Sequence, residues 1–240
     1  MAGFGKESKK RKNLKNIKET FDDSFKSFLY KKAVNYHLKG DLDQAVQYYE
    51  KFIEQGFSDN KVFLNYGMIN HQMSNLDKAE SLYLKSIDLF SDNPIAYFNL
   101  GNIYTDKNQM RNAINNFKKA IYFKNDYFDA YLNLGNCYVT IGEFKEASII
   151  LKKAIYINPV SEIAFSNLGD VLRSLGKLEE AEEMMRKSID INPTYENAYY
   201  GLSVILRLLN RKDEAKFYNK MFLKLRPWSI IGSYNINHFF

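Results

Sequence analysis

Four asparagines stand 34 residues apart, Asn65, Asn99, Asn133 and Asn167, and the last three open the related stretches NLGNIY, NLGNCY and NLGDVL. Three residues beyond those three come Asn102, Asn136 and Asp170. A primary amide has two N–H donors and one carbonyl acceptor and does not titrate near neutral pH, so a row of amides suits holding rather than reacting. Peptide main chain, with a donor and an acceptor at almost every residue, is what such a row could grip without reading sequence. Asparagine in mid-helix is worse than alanine by up to about 0.7 kcal/mol. Something must offset that cost, either a ligand or a bond to the neighbouring helix, and the sequence leaves both open.

No catalytic constellation competes with this reading. Gly3 and Gly5 in GFGKES do not lie between a strand and a helix, as a phosphate loop would need, and HExxH and GxSxG are absent. Glu179, Glu180, Glu182 and Glu183 sit beside Arg186 and Lys187, the pattern of a solvated helix face. His37 and His71 share a register but have no third ligand, and Cys137 is the single cysteine, so neither a metal site nor an intramolecular disulfide can be drawn. No catalytic residue, metal, cofactor or small-molecule substrate is expected. Cys137 reads as a small packed hydrophobe in a reducing interior, and the expected location is the cytoplasm.

The elements that position the asparagines follow from a period of 34. With the glycine of NLGNIY at position 8, units start at Lys26, Asn60, Pro94, Phe128, Glu162 and Glu196 and run without insertion to residue 229. Position 20 is Ala45, Ala79, Ala113, Ala147, Ala181 and Ala215; position 4 is always a large apolar or aromatic residue; position 8 is always small. Within a unit, positions 4, 7, 8 and 11 mark one helical face and positions 20, 24 and 27 another, with a turn between. Each unit is therefore a hairpin of two antiparallel helices. Small residues at positions 8 and 20 are expected to let the helix axes close to the low end of 8 to 10 Å. Pro159, Pro193 and Pro227 at position 32 end the second helix.

The chain carries a net charge of +6, with a distribution that argues against nucleic acid as the partner of its body. Residues 1–18 hold seven basic groups against Glu7, whereas residues 19–240 are balanced. Residues 1–25 read as a disordered basic tail, and residues 6–18 are where a membrane surface would be met, if one is met at all. The last eleven residues, 230–240, carry no charge and form an apolar extension that packs back, joins a partner or leads into a further domain.

These units resemble the tetratricopeptide repeat family, with its 34-residue period and W-x2-L-G-x2-Y…A-x3-F…P pattern. Tyr97, Leu100, Gly101, Tyr104, Ala113 and Phe117 match it with tyrosine for tryptophan, and Tyr131, Leu134, Gly135, Tyr138, Ala147 and Pro159 match again. The end units depart most, with Lys32 where leucine is usual and Asn219 and Phe222 at positions 24 and 27. The resemblance implies an all-α protein, a right-handed α-solenoid superhelix of stacked antiparallel hairpins. It also implies that positions 2, 5, 6, 9, 12 and 13 of the first helix line a concave surface that binds protein or peptide.

On that stripe fall Asn65, Asn99, Asn133 and Asn167 at position 6, and Asn102, Asn136 and Asp170 at position 9. Phe98 and Tyr200 at position 5 and Arg173 at position 12 complete the candidate peptide-binding set. With first helices roughly 9 to 10 Å apart, an extended ligand rising about 3.3 Å per residue would meet one asparagine every three residues. The lysine and arginine pattern with which some family members clamp a C-terminal carboxylate is absent. The asparagine row is instead similar to the repeat arms of peptide-modifying glycosyltransferases. The expected function is a protein-interaction scaffold; the alternatives are a substrate-recruiting arm of a separate glycosyl- or sulfotransferase, and an assembly factor for a membrane complex.

Overall fold

The structure, a computed structural model, describes residues 22–226. The basic segment 6–18, most of the expected tail, Pro227 and the apolar extension 230–240 lie outside the described residues. Twelve helices and no strand occur among the described residues. They are α1 (22–38), α2 (Leu42–Glu54), α3 (Asn60–Gln72), α4 (Leu76–Leu89), α5 (Pro94–Asp106) and α6 (Met110–Phe123), then α7 (Phe128–Thr140), α8 (Phe144–Ile157), α9 (Glu162–Ser174), α10 (Leu178–Ile191), α11 (Glu196–Leu208) and α12 (Lys212–Leu225). None is long and apolar enough to cross a membrane. The chain divides into two compact parts, one ending at Ile103 and the other starting at Tyr104, and each is taken by itself below.

The odd-numbered helices are the first helices of the repeats, and α3, α5, α7, α9 and α11 start at position 1 of the 34-residue register. α1 is already helical at residue 22, four residues ahead of Lys26. Starts are capped locally: Asp59 accepts from the Lys61 N–H at 2.9 Å, Asn93 from the Ala96 N–H at 3.2 Å and Ser161 from the Ala164 N–H at 3.2 Å. Pro94 occupies the first helical position of α5, where its missing N–H costs nothing. The second helices α8 and α10 end before Pro159 and Pro193, with Asn158 and Asn192 outside helical backbone.

The turn inside every hairpin uses one left-handed residue, at position 15. Gly40, Gly142 and Gly176 take φ of 74° to 77°, and Ser74, Asn108 and Asn210 take 56° to 61°. Asparagine tolerates this region, whereas serine meets the full clash of its Cβ with the backbone. Ser74→Gly is therefore expected to stabilise the chain by about 1 kcal/mol, read as a higher urea midpoint at unchanged slope.

Packing inside the hairpins follows the repeat. The position-20 alanines have no exposed surface except Ala215, at 8%. At position 4, Leu29, Phe63, Tyr97, Phe165 and Tyr199 are buried, while Tyr131 is only half-buried. The space at position 8 has a more specific use than letting the axes close up. A Cβ on Gly67 would come within 2.6 Å of the Tyr83 ring, one on Gly135 within 2.8 Å of Leu151, and one on Gly169 within 3.0 Å of Met185. Tyr83, Leu151 and Met185 all stand at position 24, so the small residue of the first helix is the socket for the large residue of the second. Position 24 is fully buried in Tyr49, Tyr83, Phe117, Leu151 and Met185 and half-buried in Asn219, the last of the series.

Candidate functional site

Beside the mostly buried positions 4, 7, 8 and 11, positions 6 and 9 of the first helices α3, α5, α7 and α9 are half-buried or exposed. In the part ending at Ile103, Asn65, Asn99, Asn102 and Phe98 are all half-buried. Position 9 of the preceding units is Val34 for Asn65 and Met68 for Asn99, neither of which offers an amide a strong acceptor. Asn65 instead lies by the hydroxyls of Tyr30 and Tyr49; burial raises the pKa of both phenols and Asn65 opposes the rise. Burial dominates at Tyr49 and pushes its phenol up to about 12; the hydroxyl has no partner in good hydrogen-bond geometry. The Asn99 Nδ2 is buried and has no hydrogen-bond partner.

A separate cluster on α2, α3 and α4 ties the hairpins to each other. Tyr66 donates to Glu50 at 2.6 Å, and Lys78 donates to Glu50 at 3.1 Å while standing 4.8 Å from the Tyr66 ring centre. The bonds from Tyr66 and Lys78 hold the Glu50 carboxyl below its ordinary value. Its members belong to different helices, so the cluster reads as a strut between them.

In the part starting at Tyr104, the asparagine row finds its own partner. The Asn167 Nδ2 donates to the Asn136 Oδ1 at 2.9 Å, joining position 6 of α9 to position 9 of α7. Among the described residues the Asn136 Nδ2 and the Asn167 Oδ1 make no bond, and Asn136 is exposed. Asn133 is half-buried. Asp170, with half of its side chain exposed, has a carboxyl pushed above the usual range by partial desolvation, opposed by Arg173. Arg173 reaches Asp170 through one long contact of 3.4 Å, and its Nε is buried without a partner. Tyr200 is 54% exposed and leans on Phe222, with ring centres 5.3 Å apart.

Position 6 of α11 breaks the row for a packing reason. A Cβ on Gly201 would lie 2.5 Å from the Met185 methyl, so a side chain there requires the end of the methionine at position 24 of α10 to shift. Ser166 at position 5 also turns inward, its hydroxyl 3.7 Å from the Met185 sulfur. Within this part the structure thus brings together Asn136 and Asn167, and Asp170 and Arg173, and gives Tyr200 a separate support. For Asn167 the structure shows the bond to a neighbouring helix that the sequence left open beside a ligand, and the pairing of an amide at position 9 with one 31 residues on is its signal.

Among the described residues no three or more His, Cys, Asp or Glu side chains gather as a metal site. An open hollow lined by Asp77, Glu80, Ser81, Leu84, Lys85 and Asp88 lies along α4 alone, away from the asparagine row.

Family profiles described as tetratricopeptide repeat match residues 28–57, 61–93, 128–161 and 164–195, and one described as TPR repeat matches 101–142. No curated protein matches the sequence. Among solved structures, the chain is similar to MamA at 28% identity over 68% of this chain and 96% of that one, with a TM-score of 0.64. It is similar to YrrB, described as a TPR protein with an unusual peptide-binding site, at 24% identity over 76% and 94%, with a TM-score of 0.65. A tetratricopeptide repeat protein from Parabacteroides merdae aligns at 17% identity over 84% of both chains, with a TM-score of 0.71. The last two likenesses bear on the fold.

Proposed function

The chain belongs to the tetratricopeptide repeat family, and on that premise we propose that it is a non-catalytic scaffold whose first helices hold an extended or helical segment of another protein. Members of this family typically bind protein or peptide partners, and the open polar face of the first helices is the surface suited to it. One observation carries the reading. Asn136 and Asn167 spend one donor and one acceptor on each other and keep an amide nitrogen and a carbonyl oxygen for a partner, the complement of a peptide unit. Asn65, Asn99, Asn133, Asn102, Asp170, Arg173, Phe98 and Tyr200 complete the set. The buried lone cysteine suits a reducing compartment, and we place the chain in the cytoplasm.

The test is a selection of displayed random peptides against the full chain, repeated with Asn65, Asn99, Asn133 and Asn167 all changed to alanine. Asparagines worth roughly 0.5 to 1.5 kcal/mol each predict binding weakened tenfold or more at an unchanged helical spectrum. Peptides that bind both proteins equally would contradict the assignment.

A further inference from the structure

The second helices α6 and α8 carry a feature that the asparagine face does not explain. The stretches KKAIYF (118–123) and KKAIYI (152–157) repeat two lysines and a tyrosine at one register. Tyr122 is 81% exposed and Tyr156 84%, the largest apolar rings left open on either helix. Spacings of three and four residues set Lys119 beside Tyr122, and Lys152 and Lys153 beside Tyr156, on one side of each helix, while the Lys118 Nζ stands 5.6 Å from the Tyr138 ring centre on α7. All four lysines are exposed, and among the described residues Lys152 and Lys153 have neither an ion pair nor a hydrogen bond. Both helices pack on α7.

The face has a composition and an edge. α6 contains no acidic residue, and the one acid of α8, Glu146, lies in its first turn. Ile149, 62% exposed, and Val160, 69% exposed just past the helix end, add apolar surface on the α8 side. On α10 the registers of Ile149 and Tyr156 are taken by Glu183 and Asp190, and the face stops there.

Lysines alone would fit any polyanion, and tyrosines could stack on nucleic acid bases. Ile149 and Val160 have no use in that setting. An anionic bilayer surface uses every member: lysines are drawn to the headgroup charge, tyrosine rings sit at headgroup level, and isoleucine and valine enter the acyl boundary. We propose that the exposed sides of α6 and α8 that carry Tyr122 and Tyr156 dock on an anionic lipid surface. This surface is distinct from the asparagine face and stands or falls independently of peptide binding.

The test is co-sedimentation of the full chain, N-terminal segment intact, with phosphatidylcholine vesicles with and without phosphatidylserine. Binding is expected with phosphatidylserine only. Lys152→Glu with Lys153→Glu should lower partitioning about tenfold or more, since each lysine near the surface is worth about 1 kcal/mol. Tyr122→Ser with Tyr156→Ser should weaken it too, and the four-asparagine variant should bind vesicles as the parent does. In a Trp228→Phe background, Tyr156→Trp should give an indole emission that shifts to the blue on phosphatidylserine vesicles. Failure to bind these vesicles, binding that survives the lysine variant, or an unshifted indole emission overturns the proposal. So does a lysine variant that loses a uridine homopolymer while keeping vesicle binding.

Discussion

Phe117→Ala is expected to cost roughly 3–5 kcal/mol, the range for deleting a buried aromatic ring. The side chain has no exposed surface and stands at position 24 of α6, in the series of Tyr49, Tyr83, Leu151 and Met185 that fills the space between helices. The chain cannot collapse into the gap cheaply, because Ala113 and Ala120, on the same helix, are buried too and leave no long side chain to swing in. The same change at the last member of the series, Asn219→Ala, should cost under about 0.5 kcal/mol, since that side chain is half-exposed. Urea unfolding of the two variants measures both. Equal costs would mean that position 24 does not owe its burial to the repeat that follows.

Met185→Ala is expected to cost roughly 2–5 kcal/mol for the same reason, with a coupling to the glycines it packs against. The Met185 methyl is the atom that a Cβ on Gly201 would meet at 2.5 Å and one on Gly169 at 3.0 Å. Gly201→Ala alone should therefore cost about 1–3 kcal/mol through overpacking. In the double variant the new methyl enters space vacated by the methionine. Its added cost should fall to near zero, a coupling of about 1 kcal/mol or more. Additive costs would place Met185 away from the Gly201 backbone.

The six-fold period made the helices, their turns and their buried alanines legible from sequence, because small and large residues at fixed spacing leave few ways to nest two helices. What fills the space beside a position-8 glycine was not legible, since the filling atoms lie on the second helix of the hairpin and a period does not say which ring or thioether points where. The asparagines teach the sharper lesson. Asn99 and Asn167 both open an NLG triplet, yet Asn167 is bonded and the Asn99 Nδ2 is not. The difference lies one unit upstream, in Asn136 against Met68, so local sequence could not carry it. Gly201 shows the converse, a missing asparagine that marks crowding by Met185 rather than the edge of a binding surface.

The most direct test of the central claim is to follow the asparagine side-chain amide signals by NMR while a peptide selected on the full chain is added. The claim predicts that the Asn136 and Asn167 amides shift in proportion to occupancy, with the outer faces of α8 and α10 unmoved. Shifts confined to those outer faces, with both amides still, would contradict it.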